Sequence, residues 1–312
     1  MEARISSALA NWIPYKLSFA EGEPYCEWLY TGDEDFTEPF FDDTIAKCLQ
    51  YNNRGHKSIS SLDVLPQWSN EIESIPPSAF IFHVSRCGST LASQLLALDS
   101  GNIVLSEVPF FDALLRANKN IPQQLLKAAV AFYASVKNNR KRLFIKTDSW
   151  HIFFYKQLRE LYPLTPFILL YRRPDEVMRS QQKRSGMHAI PGLIEPALLG
   201  FAENEVQYMD QNEYLGRLLD KYFQAFEHIL EEDPLAIPVN YNEGPIAMVE
   251  KIAAITGTPV GFGEMERIKD RARYHAKYPA QVFAEAAIRD PVPAYCRAAY
   301  ERYEALERSR NS

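Results

Sequence analysis

The sequence predicts an α/β protein of three layers, with a central parallel β-sheet of about five strands flanked by helices. From residue 79 onward, short apolar runs alternate with segments of helical periodicity, the pattern of a parallel sheet covered on both faces. Four of these runs lead into a functional-looking residue, Arg86, Glu107, Lys146 or Arg172, and ligands of such sheets sit beyond the carboxyl ends of the strands. The first run also passes through a small-residue loop, Ser85–Thr90, directly into a helical pattern. That arrangement offers an anion unpaired backbone N–H groups and the positive end of a helix dipole.

Residues 1–75 differ from the rest and are read as an N-terminal extension packed on the core, with the main α/β domain over 76–312. They are rich in aromatic residues, and between Leu17 and Ala46 they hold nine carboxylates and no Lys or Arg. Two readings follow: a wall that holds a cationic or amphipathic acceptor, or a packed extension with a solvated acidic face. The turn-forming Glu73–Ser78 marks the boundary.

The first core strand is Ala79–Val84, apolar except for His83, a core residue; Leu91, Leu95, Leu96 and Leu98 then follow at helical spacing. Asn102–Glu107 is a second strand ending in a carboxylate, and Pro109 opens a helix. A further helix spans 122–137. Arg142–Lys146 is the third strand, and Trp150–Tyr162 is an amphipathic helix stopped by Pro163. Pro166–Tyr171 is the fourth strand, and Asp175–Lys183 is a helix. The segment 183–200, with Gly186, Pro191, Gly192 and Pro196, is irregular and reads as a candidate lid loop. A long helical region over 198–232, a fifth strand at Ala236–Tyr241 and a helix over 245–256 ended by Gly257 complete the pattern. The tail, 262–312, is helical and carries Arg267, Lys269, Arg271, Arg273 and Lys277, read first as a solvated helix face, with a ligand contact from Arg273 and Lys277 as the alternative.

A formal net charge of −6 argues against a general nucleic-acid binder. No apolar run reaches the roughly 18 residues of a membrane span, and no secretion signal is visible. The four cysteines are scattered without metal-ligand spacing. The expectation is a cytoplasmic protein with no metal, no membrane and no nucleic-acid partner. Its oligomeric state and acceptor are left open by the sequence.

Within the loop, Arg86 supplies a planar cation, Gly88 lets the backbone come close, and Ser89 and Thr90 supply hydroxyl donors. The residue before Ser89 is Gly88 rather than lysine, so this is not a Walker A loop. No arginine follows Cys87 within seven residues, so it is not a phosphatase loop either.

Taken together, these residues resemble the P-loop-NTPase-like sulfotransferases that use 3′-phosphoadenosine 5′-phosphosulfate (PAPS), especially the bacterial small-molecule and tyrosylprotein branches. The family's P-[RK]-S-G-T-T-L loop is matched by Ser85-Arg86-Cys87-Gly88-Ser89-Thr90-Leu91, with Ser85 for proline and Cys87 for serine. The family's R-D-P-R-D-V-V-x-S element is matched over 172–180, which keeps Arg172 and Ser180 eight residues apart. Weaker echoes are Lys146-Thr147-Asp148-Ser149-Trp150-His151 for K-T-P-x-H and Val239-Asn240-Tyr241 for V-x-Y. The likeness covers about 78–258.

The resemblance implies a PAPS-dependent transferase that moves a sulfuryl group to a hydroxyl or amine of a small-molecule acceptor. Ser85, Arg86, Cys87, Gly88, Ser89 and Thr90 would hold the 5′-phosphosulfate, with Cys87 giving its backbone N–H and staying chemically passive. Arg172 and Ser180 would hold the 3′-phosphate, and Tyr241 would line the cofactor site. Lys146 would put positive charge on the bridging oxygen, and Glu107 would serve as general base, with His151 as its rival. Two other classes remain open: an atypical nucleotide kinase, disfavoured by the missing Walker lysine, and a catalytically silent nucleotide-binding protein.

Overall fold

The computed structural model describes residues 8–32, 34–51, 58–117, 121–135, 140–258, 260–276, 280–282 and 291–310. In chain order its strands and helices are β1 (Trp12–Ala20), β2 (Glu23–Tyr30), α1 (Phe41–Tyr51), β3 (Ser58–Ser61), α2 (Val64–Ser69), β4 (Pro77–His83), α3 (Ser89–Leu96), β5 (Asn102–Ser106) and α4 (Pro109–Arg116). They continue with α5 (Gln124–Tyr133), β6 (Arg142–Lys146), α6 (Tyr155–Leu161), β7 (Phe167–Tyr171), α7 (Pro174–Lys183), α8 (Glu203–Val206), α9 (Gln211–Glu232), β8 (Ala236–Asn240), α10 (Pro245–Ile255), α11 (Phe262–Arg271) and α12 (Arg297–Arg310).

The expected five-stranded parallel sheet is present, in the order β5-β6-β4-β7-β8. Its strands are short because each crosses a dry interior: every residue of β5 and of β7 is buried. Two faces covered by helices favour apolar side chains along the middle of each strand, and the buried Asn102 at the start of β5 is satisfied by donating to the Leu96 carbonyl at 2.8 Å. Proline at the first turn, which has no backbone N–H to lose, starts the helices after three of these strands, at Pro109, Pro174 and Pro245.

The chain forms two compact units. One comprises Met1–Ala79, Ser93–Asp148 and Gln157–Thr165. In it β1, β2 and β3 make an antiparallel sheet. The β1–β2 hairpin turns at Glu21 and Gly22, both with positive φ (52° and 87°), as a two-residue primed turn requires. Trp28 packs on Trp68 and Phe132, and Phe41 on Tyr133, so these two aromatic residues of the N-terminal segment are core, whereas Phe19 and Tyr30 are exposed. Its carboxylates are partly paired: Glu27 with Lys16, Glu34 and Glu38 with Lys47, and Asp35 with Arg140.

The other unit comprises Phe80–Ala92, Ser149–Lys156 and Pro166–Ser312. Here α12 braces the strand ends: the Tyr171 hydroxyl donates to Glu307, Asn240 Nδ2 to the Tyr303 hydroxyl at 3.1 Å, and Arg310 pairs with Glu243.

Three expectations need correction. Residues 150–162 are not one helix. Ser149–Phe154 forms a 3₁₀ turn before α6 begins, and four of its six residues are buried, where an amphipathic α-helix would turn some outward. The long helix does not start near 198. It starts at Gln211, because the Asp210 carboxylate caps it by accepting from the N–H groups of Asn212 and Glu213. The helix expected over 122–137 ends at Tyr133, and its last two residues lie outside the described ones.

Candidate active site

The anion loop sits at the carboxyl end of β4, and its backbone is unusual. Ser85 and Arg86 have φ of 61° and 48°, and Gly88 has 80°. Two consecutive non-glycine residues in the left-handed region store about 1–3 kcal/mol each. A turn of this kind can leave backbone N–H groups facing one concavity, a nest, although that of Ser85 is taken by His83 Nδ1. α3 starts at Ser89, so the first-turn N–H groups of that helix add to the donor set.

Each residue of the loop has a place. Ser85 N–H donates to His83 Nδ1 at 3.1 Å. His83 is buried, as expected of a core residue, and also holds the turn. Cys87 is fully buried, with Sγ 3.4 Å from the Leu170 carbonyl oxygen. Ser89 is buried and Thr90 half-buried. Arg86 directs its guanidinium to the Arg184 carbonyl.

Tyr241, just past β8, packs its ring against Gly88 so closely that a Cβ there would lie 2.2 Å from the ring atoms. On Tyr241 also rests the Arg172 guanidinium, 5.0 Å from the ring centroid. Arg172 is 6 % exposed; its Nε donates to Glu176 at 2.7 Å, and an Nη lies 3.5 Å from the Arg86 carbonyl. Asn242 Nδ2 donates to the same Glu176 oxygen at 2.9 Å. The strand ends of β4, β7 and β8 thus bring Arg86, Gly88, Arg172 and Tyr241 into one group. Ser180 lies two turns into α7, half-buried.

The second group lies at the carboxyl ends of β5 and β6, where Ser106 and Lys146 are register partners. Glu107 follows with φ of 57°, donating its N–H to the Lys146 carbonyl at 2.9 Å. Left-handed backbone at a glutamate swings its side chain out of the strand's alternation and back over Lys146, whose Nζ is 2.7 Å from Oε1. Lys146 is completely buried, and that ion pair lies off the hydrogen-bond line. Its ammonium therefore makes no hydrogen bond among the described residues, although such a group seeks up to three acceptors. The Phe40 ring sits 5.3 Å from it. Burial and the negative charges of Asp43 and Glu107 push the nearby Asp42 carboxyl above its usual range.

His151 is buried in the 3₁₀ turn, edge-on to Trp150 and Phe154. In the tail, Lys269 pairs with Glu266, Arg273 with Asp270, and Arg271 bonds the carbonyls of residues 274–276. Lys277 lies outside the described residues.

Sequence reasoning missed Glu176 and Asn242, which orient Arg172, and the approach of Phe40 to Lys146. Glu176 was findable, since an i,i+4 Arg–Glu pair on a helix is a local signal. The other two join residues far apart in the chain and leave no local trace.

All four cysteines are buried. Burial pushes the Cys296 thiol up to about 12 and the Cys26 thiol higher still, so neither forms thiolate at ordinary pH in the folded state. At pH 8 an aromatic disulfide reagent is expected to find no rapidly reacting thiol in the native protein and all four after denaturation. One thiol reacting within seconds would contradict this arrangement. Cys87→Ser, which keeps a donor toward Leu170, is expected to retain activity.

No protein-family model matches this sequence, and no curated protein does. Among solved structures it is similar to the sulfotransferase STF9 of Mycobacterium avium, with TM-score 0.49 and 12% identity over 80% of this chain and 81% of that one. It is also similar to the sulfotransferase domain of the curacin biosynthetic pathway, with TM-score 0.46 and 16% identity over 74% and 99%. A third is mouse SULT7A1 complexed with PAP, with TM-score 0.36 and 12% identity over 76% and 78%. Every one of these likenesses is distant, and the functional reading rests on the side chains of this chain.

Proposed function

We propose that the protein is a PAPS-dependent sulfotransferase that moves a sulfuryl group to a hydroxyl or amine of a small-molecule acceptor. The observation that carries it is the anion group: a nest of left-handed residues at a helix start, with an arginine eight residues before a serine stacked on the ring that covers the nest's glycine. The donor set fits two separate phosphates of one nucleotide. The loop N–H groups, Arg86, Ser89 and Thr90 take the 5′-phosphosulfate; Arg172 and Ser180 take the 3′-phosphate, which ATP lacks.

Sulfuryl transfer, like phosphoryl transfer, needs alignment and stabilisation of negative charge rather than covalent help. Lys146 supplies that charge to the bridging oxygen as its bond to sulfur breaks. Its buried, under-bonded ammonium supports the role, since bringing it an acceptor oxygen satisfies it. Glu107, whose Oε1 lies 2.7 Å from that ammonium, removes the acceptor's proton. Phe40 and Asp42 beside this pair support an acceptor with an apolar part and a positive charge. No metal takes part in this scheme. Among the described residues no helix is long and apolar enough to cross a membrane, and we propose a cytoplasmic location.

Titration with adenosine 3′,5′-bisphosphate (PAP) and with AMP tests the assignment. Arg172→Ala is expected to weaken PAP binding about 100-fold, the loss of a charge-assisted phosphate contact, and AMP binding less than about threefold. Equal losses would remove the 3′-phosphate site. An acceptor screen in the presence of PAPS then looks for products heavier by one SO₃ group.

A further inference from the structure

Gln181 follows the proposed phosphate ligand Ser180 and is 1 % exposed. Its side chain makes three hydrogen bonds. The amide oxygen accepts from Gly186 N–H at 2.8 Å, which fixes the orientation of the group. The amide nitrogen donates to Ser85 Oγ at 3.3 Å and faces His188 Nε2 at 3.1 Å. With the amide so oriented, His188 Nε2 accepts, and the ring carries its proton on Nδ1. His188 in turn is held by Tyr214, whose hydroxyl donates to its carbonyl at 3.0 Å, and by ring contacts with Trp150 and Tyr222.

One buried amide therefore joins the first left-handed residue of the anion loop to the segment that begins at residue 184. Arg86 makes a second link between the same two places, through the Arg184 carbonyl. Ser85 stays at a φ of 61° against the ordinary preference of a serine, and such a conformation persists only where its surroundings over-determine it. His83 secures its N–H and Gln181 its hydroxyl.

We infer that Gln181 is a positioning residue of the nucleotide site: it fixes the Ser85–Arg86 turn and makes anion binding in that turn and packing of segment 184–188 a single equilibrium. This rests on the nucleotide-binding reading above. An anion that binds only the ordered turn must stabilise the segment by the same free energy with which the segment stabilises the anion. Packing of the segment is thereby strengthened when the nucleotide is bound.

The segment carries its own reporter. Lys183 and Arg184 are exposed, and trypsin cleaves after both once the segment opens locally. In the wild type, saturating PAP is expected to slow cleavage at 183–184 at least about tenfold, because proteolysis of an opened state follows its population. Gln181→Met, which keeps volume and helix propensity but loses all three bonds, is expected to raise the Kd for PAP about tenfold. In that variant, saturating PAP is expected to slow cleavage less than about twofold. His188→Leu keeps the loop side intact; its Kd is expected to change less than about threefold while protection is again lost. In steady-state assays Gln181→Met is expected to raise KM for PAPS with kcat held, which a general loss of fold would not do. Wild-type protection in both variants at saturating PAP would overturn the coupling while leaving the nucleotide reading intact. A wild type that binds PAP with no protection would do the same. A wild type that does not bind PAP would overturn both.

Discussion

Lys146→Met is expected to lower kcat by a factor on the order of 10²–10³, about 3–4 kcal/mol of transition-state stabilisation, the usual effect of removing one donor aimed at a developing oxyanion. The affinity for PAP is expected to stay within about threefold of wild type, because the ammonium's role begins only as the sulfur–oxygen bond breaks. Methionine fills nearly the same volume as lysine at a fully buried position, and exchange of a buried ion-pair partner for a packed apolar side chain need not unfold a protein. Glu107 retains partial exposure, 23 % of its side chain, so water can take over its solvation. A melting curve near wild type together with the lost turnover identifies Lys146 as catalytic. Turnover within about fivefold of wild type would remove it from the mechanism. Glu107→Gln sharpens the result, since loss of kcat there with retained PAP affinity is the signature of the base, and retained turnover passes that role to His151.

Gly88→Ala is expected to abolish nucleotide binding, raising the Kd for PAP by more than about 100-fold, and to lower the melting temperature. Two effects add. A Cβ at a φ of 80° costs about 1–2 kcal/mol for its left-handed backbone alone. The same Cβ would stand 2.2 Å from the Tyr241 ring, and that ring cannot simply yield, because Arg172 stacks on it and the Asn240 and Asn242 turn holds its backbone. Displacing the ring displaces the proposed 3′-phosphate ligand as well. The double variant Gly88→Ala with Tyr241→Ala is expected to remove the clash and recover part of the lost melting temperature, while PAP binding stays weak because Arg172 loses the ring it rests on. A single variant that binds PAP within about threefold of wild type would show that the loop and Tyr241 do not meet as described.

Why some of this was readable and some was not follows from the range of each interaction. Ala79–Val84, Asn102–Glu107, Arg142–Lys146 and Pro166–Tyr171 announce themselves because a strand buried on both faces has only apolar choices, and the chain turns charged where it leaves the interior. Pro109 and Pro245 mark helix starts because the missing N–H is harmless only there. The β1–β2 hairpin has only a weak local signature, Glu21-Gly22 between two aromatic-rich runs. The helical periodicity from 198 runs past the real start of α9, because Asp210 caps that helix through two backbone hydrogen bonds that are invisible in a periodicity count. Gly88 marks a place of close approach in the sequence, but the Tyr241 ring that approaches it lies far along the chain.

The sequence by itself determined a parallel sheet covered on both faces by helices, a small-residue loop between its first core strand and first core helix, and the Arg172–Ser180 spacing. Each is a consequence of local backbone geometry and of which residues tolerate a dry interior. Only the tertiary structure decided that Tyr241 covers Gly88 and carries Arg172, that Glu107 bends back onto Lys146, and that Gln181 ties Ser85 to Gly186 and His188. Except for the turn at Glu107 and the short links from Gln181 to Gly186 and His188, these contacts depend on side-chain packing between elements that the chain does not keep adjacent, and no spacing rule records which ring or amide will arrive there.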